Sequence, residues 1–271
     1  MQTAPPRPLQ EQQDTWSYAW SQPLFRIKFI VVWLLIFPLL TVFHVFFAFI
    51  EKREGIELSD WLLEQLPVHN VSLPVFLFIW GAALLAIIRC IKSPQILLLL
   101  LWSYLLVSLS RMLCIWLVPL NAPPHLIPLV DPLTNFFYGK QYVTKDLFFS
   151  GHTGLPFLAA LAFWHIPQWR AFYLALTAFF GAVVLLGHYH YSIDVLAALF
   201  ITHGVFQISC WLFGRDNALF RSSENQAAPR PKRASRKTAD AAEGGRWRAS
   251  KPFVLHIVGK ESMPDDQSKP T

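Results

Sequence analysis

Two short polar clusters interrupt otherwise apolar sequence, at residues 146–153 (DLFFSGHT) and 188–194 (HYHYSID). In the second cluster His190 and Asp194 are four residues apart, so on a helix they would lie on one face and touch. A carboxylate held against one imidazole nitrogen fixes the tautomer and leaves the other nitrogen nucleophilic. The pair therefore predicts phosphoryl transfer through a phosphohistidine, although the same spacing taken alone also occurs in ordinary local hydrogen bonds.

The first cluster ends in Ser150, Gly151, His152 and Thr153, at the start of an apolar run. Free N–H groups at a helix N-terminus bind anions, and glycine lets the backbone approach a bound group closely. This predicts a phosphate site at which His152 protonates a departing alcohol and deprotonates an incoming one. The alternative is structural: Ser150 caps the helix and His152 merely lies at the membrane interface.

The elements that must position these clusters are membrane helices. Of the 271 residues, 54% are hydrophobic and only 15% are charged, which is typical of integral membrane proteins and excludes an ordinary soluble domain. A membrane span needs about 20 mostly apolar residues. We predict an all-α, polytopic bundle of six transmembrane helices, at residues 29–50, 72–88, 95–118, 150–164, 170–187 and 191–213. The fourth run is short, so it must use its flanks or a protected position inside the bundle.

The basic residues predict the orientation of the bundle, because cytoplasmic flanks collect Lys and Arg. Most of them lie in the two terminal segments and in the loops after the second and fourth runs. We expect a cytoplasmic N-terminal segment (1–28), a transmembrane catalytic domain (29–213) and a basic, disordered cytoplasmic tail (214–271). Both polar clusters then open to the extracytoplasmic side, meaning the periplasm, the exterior or an organelle lumen.

The two clusters carry a family resemblance. The motifs D-x-x-x-S-G-H-T (146–153) and H-Y-S-x-D-V (190–195) resemble those of the sphingomyelin synthase branch of the type 2 phosphatidic acid phosphatase superfamily. The resemblance covers residues 121–213 and implies that His190 is the nucleophile, Asp194 its orienting partner and His152 the acid and base. Three further polar residues of these motifs are expected to support the site: Asp146, Tyr191 and Ser192.

The chain also departs from that branch. Thr144-Lys145 stands where the branch has Cys-Gly, the last motif continues to Thr202-His203 and not to Tyr-His, and the first outer loop lacks Pro-Leu-Pro-Asp. Because of these departures, the resemblance does not identify the donor and acceptor lipids, although the residues of the reaction centre are all present.

Related lipid phosphatases have an arginine six residues before the nucleophilic histidine, where this chain has Val184. Another cation should therefore balance the phosphate charge. Arg111, inside the third predicted span, is the first candidate, and Lys145 lies nearer the mouth of the site. The alternative for Arg111 is that it snorkels or pairs with a carboxylate for packing.

No cofactor and no metal are expected. Three histidines are candidate metal ligands: His152, His188 and His190. No further cysteine or carboxylate cluster completes a coordination shell with them. The cysteines show no paired or metal-type spacing and are interpreted as small hydrophobic residues: Cys90, Cys114 and Cys210.

The sequence therefore predicts a membrane phosphotransferase that moves a phosphocholine or phosphoethanolamine headgroup from a glycerophospholipid to a lipid alcohol such as ceramide or diacylglycerol. Its partners would be these lipids and not nucleic acid, and self-association into a homo-oligomer is left open. Two alternatives stay open: a lipid phosphatase or phospholipase C-like hydrolase that uses the same residues, and a non-catalytic lipid-binding or transport protein.

Overall fold

The computed structural model describes residues 16–127 and 143–212. The predicted terminal segments therefore fall largely outside the described residues, as does most of the proline-containing loop before the first polar cluster. The described residues form helices and one isolated β-bridge between Ile56 and Leu120. The helices are α1 (Trp16–Ser21), α2 (Pro23–Lys52), α3 (Trp61–Glu64), α4 (Ser72–Cys90), α5 (Pro94–Leu117), α6 (Gly151–Ala162), α7 (Pro167–Leu186) and α8 (Ser192–Leu212).

Five of these helices are long and apolar enough to cross a membrane: α2, α4, α5, α7 and α8. Three of the five start with a proline in the first turn, where its missing N–H costs nothing: Pro23, Pro94 and Pro167. The fourth predicted run differs in length, because α6 has only 12 residues and is therefore about 18 Å long. Nine of these residues are buried, which is the protected position that a short helix in a bundle requires.

The long helix α2 illustrates how the bundle packs. It is apolar on all sides, yet only one stripe of it is buried, and this stripe packs against Leu98, Leu105 and Ile115 of α5. Most of the other large side chains are exposed, as is expected of a helix surface that faces lipid. The buried stripe recurs at helical spacing and consists of Phe25, Val32, Ile36, Leu39, Phe43, Phe47 and Ile50.

Helices α5 and α6 bring the two polar clusters together. Helix α5 packs against α2, α4, α6 and α8, and α6 packs against α7 and α8. The α6–α8 approach is close because a Cβ at Gly154 would lie 2.9 Å from Thr202 Oγ1. Small residues allow such contacts between membrane helices, where van der Waals packing drives association.

One end of the bundle is covered by four loop segments that hydrogen-bond to one another, residues 53–71, 118–127, 143–150 and 187–191, here called the loop layer. Arg53 donates from Nη1 to the Trp116 carbonyl (2.6 Å) and from Nη2 to the Ile115 carbonyl (2.7 Å) at the C-terminal end of α5. Asn121 Nδ2 donates to the Gly55 carbonyl (2.7 Å). The loop layer is therefore fixed to the helix ends that carry the polar clusters.

Candidate active site

His190 and Asp194 are in contact at the start of α8. His190 Nδ1 lies 3.2 Å from Asp194 Oδ2, and the Tyr191 N–H donates to the same oxygen at 3.1 Å. His190 is 3% exposed and Asp194 is fully buried. With a proton on Nδ1 donated to the carboxylate, Nε2 of the neutral ring is the basic nitrogen.

The four-residue spacing predicts that the two side chains meet on one face of a helix. In the structure α8 begins only at Ser192, so His190 lies before the helix and the contact is made differently. Asp194 is the third residue of the helix and its side chain folds back to the N–H of Tyr191, the residue before the helix. This is the returning half of a capping box, with the side chain of the third helical residue satisfying the capping N–H. His190 is held by the same turn, so the local capping signal explains the pair.

The two clusters are joined through the backbone. The Ser150 N–H donates to the Asp194 main-chain carbonyl at 3.1 Å, which ties the first turn of α6 to that of α8. Asp194 Oδ1 is buried and has no hydrogen-bond partner among the described residues. A buried carboxylate with so few donors favours a positive charge on the neighbouring imidazole.

His152 lies in the first turn of α6, with its ring centroid 6.3 Å from that of His190. Ser150 caps α6, since its Oγ accepts from the Thr153 N–H (3.4 Å) and from Thr153 Oγ1 (3.3 Å). The cap and the placement of His152 beside His190 therefore occur together and are not alternatives.

Arg111 reaches the same place from α5. Its Nη2 donates to Asp146 Oδ1 at 2.6 Å, and its Nε donates to the Phe149 carbonyl at 3.1 Å. A Cβ at residue 151 would lie 2.6 Å from Arg111 Nη1, so the guanidinium occupies the space that a larger residue would need there. Arg111 thus pairs with a carboxylate and also stands against the N-terminus of the helix that carries His152.

A cavity of about 200 Å³ opens beside these groups. Its polar lining comes from Arg111, Asp146, Gly151 and His152. Its apolar lining comes from the helices and the preceding loop: Phe43, Phe47, Ile79, Val143 and Leu155. The arrangement can hold an anion against a cation and a helix N-terminus, with one histidine at its wall.

Lys145 is placed elsewhere. Its Nζ donates to the Arg53 carbonyl at 2.6 Å, and it does not line the cavity. Glu51, at the end of α2, anchors this segment and carries no functional signal in the sequence. The Glu51 carboxylate accepts hydrogen bonds from the Thr144 N–H, the Thr144 hydroxyl and the Lys145 N–H. No sequence signal could reveal this contact, since its partners are more than 90 residues apart.

Tyr191 and Ser192 bond within the protein. The buried Tyr191 hydroxyl donates to the Asn121 carbonyl (3.1 Å) and accepts from the Leu58 N–H (3.2 Å). Ser192 donates from both its N–H and its hydroxyl to Asp60, a residue outside both polar clusters. An aspartate before an apolar run signals a helix cap, and Asp60 does cap α3, but its contact with α8 has no local signal.

His188 lies against the backbone of the loop layer. The two ring nitrogens of His188 face backbone carbonyls, Pro124 at 3.0 Å and Leu66 at 3.3 Å. Within residues 16–127 and 143–212, no three His, Cys, Asp or Glu side chains are grouped so as to hold a metal ion.

The fold and the site together define a helical membrane protein with a buried His–Asp pair and with a second histidine beside a cavity lined by the Arg111–Asp146 ion pair. Residues 145–211, about a quarter of the chain, match the family model described as PAP2 superfamily C-terminal. The match supports the type 2 phosphatidic acid phosphatase superfamily and suggests a lipid phosphatase or phosphotransferase. It includes His152, His190 and Asp194 and leaves out Arg111 and Asp60. No curated protein and no solved structure matches the chain significantly.

Proposed function

We propose that this protein is a sphingomyelin synthase-like lipid phosphotransferase. It would move a phosphocholine or phosphoethanolamine headgroup from a glycerophospholipid to ceramide, diacylglycerol or a similar lipid alcohol. The observation that carries the proposal is the placement of the buried His190–Asp194 pair 6.3 Å, between ring centroids, from His152 at the wall of an Arg111-lined cavity.

In the first step Nε2 of neutral His190 attacks the phosphorus of the donor. A P–N bond forms and the P–O bond to the glycerolipid breaks, while protonated His152 gives its proton to the leaving oxygen. Asp194 stabilises the positive charge that His190 acquires. The products of this step are diacylglycerol and a phosphohistidine that carries the headgroup.

In the second step neutral His152 takes the proton from the hydroxyl of the acceptor. The acceptor oxygen forms the new P–O bond, the P–N bond breaks, and His190 returns to its neutral form. Arg111 and the first N–H groups of α6, at Gly151 and His152, would balance the phosphate charge through both steps. Asp146 would hold the guanidinium in this position.

A second cavity supports a lipid substrate. It has a volume of about 240 Å³ and is lined almost entirely by apolar side chains of α4, α5, α6 and α7. It shares Ile79 and Leu155 with the first cavity and continues along α4 to Ile87, about 12 Å further. Tyr173, which also lines it, donates its hydroxyl proton to the Ala82 carbonyl. An acyl chain would fit here while the phosphate of the same lipid lies beside Arg111.

Transfer to a lipid alcohol is favoured over transfer to water by the burial of the pair. His190 is 3% exposed and Asp194 is not exposed at all, so the second acceptor reaches a site with little access to bulk water. Val184, which stands where related phosphatases carry their phosphate arginine, is also fully buried. The alternative is a hydrolase, and the assay below must distinguish it from the transferase.

The topology belongs to the same proposal. Helix α6, extended by the residues that flank it, would complete six crossings with both termini cytoplasmic. The loop layer and the site would then face the extracytoplasmic side, which agrees with the distribution of Lys and Arg in the sequence.

The test is a product assay on the purified protein in lipid vesicles, with headgroup-labelled phosphatidylcholine or phosphatidylethanolamine and with or without ceramide or diacylglycerol. We expect a new labelled phospholipid only when the acceptor is present. Release of water-soluble phosphocholine or phosphate regardless of acceptor would establish a hydrolase instead. Absence of turnover with every donor and acceptor would contradict an enzymatic function.

Two variants and one control assign the chemistry. His190→Ala should abolish turnover, and His152→Ala should lower it about 10²- to 10⁴-fold, the usual contribution of a general acid and base. His165→Ala changes an exposed histidine after α6 and should leave turnover unchanged. Wild-type turnover in His190→Ala would refute the phosphohistidine route.

A further inference from the structure

Asp60, in the loop layer, binds the first residue of α8. Its Oδ2 accepts from the Ser192 N–H at 2.6 Å, and its Oδ1 accepts from the Ser192 hydroxyl at 3.0 Å. Oδ1 also accepts from the N–H groups of Leu62 and Leu63, both at 3.1 Å, which caps α3. One carboxylate therefore connects the segment after α2 to the first residue of the helix that carries Asp194, and the two bonded residues, Asp60 and Ser192, are 132 positions apart in the sequence.

The bonds to Ser192 bear directly on the reacting pair. Ser192 follows Tyr191, whose N–H donates to the Asp194 oxygen that also faces His190 Nδ1. A shift of Ser192 moves this peptide and with it the direction in which His190 Nε2 points. Hydrogen bonds that a carboxylate accepts from a helix N-terminus are charge-assisted, so Asp60 constrains the turn more strongly than a neutral acceptor does.

We propose that Asp60 is a positioning residue for the His190–Asp194 pair. The proposal rests on the phosphotransferase function above, and it assigns to the first loop a part in the reaction that the matched segment, residues 145–211, does not contain. Asp60 touches neither the phosphate nor the reacting nitrogen, and it acts through Ser192.

The rest of the loop layer does not depend on Asp60. Ile56 pairs with the backbone of Pro119 and Asn121, Arg53 bonds the end of α5, and the Leu58 N–H bonds the Tyr191 hydroxyl. Loss of the Asp60 carboxylate therefore leaves this loop attached. Its expected effect is on turnover by folded protein and not on the amount of protein that folds.

The experiment compares Asp60→Ala, Asp60→Asn and Glu57→Ala in the vesicle assay. Asp60→Ala should lower kcat about 10- to 100-fold with little change in KM, since a displacement of about 1 Å in a reacting group has an effect of this size. Asn keeps an acceptor for Ser192 and should restore most of the rate. Glu57 is an exposed acidic residue of the same loop, and its removal should change neither constant.

A second readout needs no turnover. Hydrogen exchange of the peptide that covers residues 188–196 should be faster in Asp60→Ala than in wild type, and intermediate in Asp60→Asn. Wild-type exchange in Asp60→Ala, or a wild-type kcat, would overturn the proposal. So would a rise in KM with kcat intact. A wild-type protein that never turns over lipid refutes the proposed function, and the exchange measurement still decides whether Asp60 positions the pair.

Discussion

Gly151→Ala tests the contact between α6 and the Arg111 guanidinium. A Cβ at residue 151 would lie 2.6 Å from Arg111 Nη1 and 2.8 Å from Cζ. Non-bonded heavy atoms prefer separations of about 3.5 Å, so the guanidinium must retreat by about 0.7 to 0.9 Å. The backbone of α6 cannot retreat instead at low cost, because the Ser150 N–H bonds Asp194 and Gly154 lies against Thr202.

The cost follows from what holds the guanidinium. Arg111 bonds Asp146 at 2.6 Å and the Phe149 carbonyl at 3.1 Å, and a retreat of this size breaks one bond or turns the charge out of the cavity. A hydrogen bond to a charged group contributes about 1.5 to 3 kcal/mol. At about 1.4 kcal/mol for each factor of ten, we expect kcat/KM to fall about 10- to 150-fold.

The assay is the transfer of labelled headgroup, with Gly81→Ala as the control because a Cβ at residue 81 meets nothing within 4 Å. The decisive comparison uses a second background. In Arg111→Ala the clashing group is gone, so adding Gly151→Ala should have little further effect. Equal losses with and without Arg111, or a fully active Gly151→Ala protein, would show that the guanidinium contact does not explain this glycine.

Two further expectations follow from the cavities and the loop layer. Ala86→Phe would fill the far part of the apolar cavity. Each acyl-chain methylene excluded from the cavity costs about 0.8 kcal/mol of binding free energy. Exclusion of two methylenes should therefore lower kcat/KM for long-chain donors about tenfold relative to short-chain donors. Leu84→Phe, on the exposed side of α4, is its control, and an unchanged chain-length profile in Ala86→Phe would argue against an acyl chain there. Burial raises the pKa of Asp60, but hydrogen bonds from Ser192 and from the N–H groups of α3 outweigh it, so the pKa lies below its usual 3.8. The stability that Asp60 adds should then be fully present above pH 3.8 and be lost as the pH falls through the lowered pKa. The difference in melting temperature between wild type and Asp60→Asn should shrink only in that acidic range. A difference that grows on acidification would contradict the lowered pKa.

The helices could be predicted from apolar run length because a membrane makes that length a physical requirement. The predicted ends of the helices differ from the observed ones. Helix α2 starts at Pro23, six residues before the predicted start at residue 29, because aromatic and apolar residues continue the helix beyond the hydrophobic run. The fourth run was predicted by the same criterion and forms a helix of only 12 residues. The small residues of α6 allow it to pack closely against both α7 and α8. A helix that packs in the interior of the bundle does not need the length of a helix that faces lipid.

Within the candidate site, local contacts could be predicted and distant ones could not. The His190–Asp194 contact depends on a spacing of four residues, and the capping of α6 by Ser150 depends on a spacing of three. By contrast, Arg111 meets Asp146 across 35 residues, and Asp60 meets Ser192 across 132. Neither pair has a period or motif, because each contact depends on how separate helices and loops are arranged in the folded bundle.

This division has a chemical consequence. The segment that matches the family model contains the three groups proposed to make and break bonds to phosphorus, but it does not contain the cation at the cavity or the carboxylate that holds the first turn of α8. Transition-state stabilisation in phosphoryl transfer comes mainly from positioning and electrostatics. The rate should therefore depend on α5 and the first loop in addition to the matched histidines. Substrate choice should depend on α4, whose side chains line the apolar cavity and share Ile79 with the cavity beside Arg111.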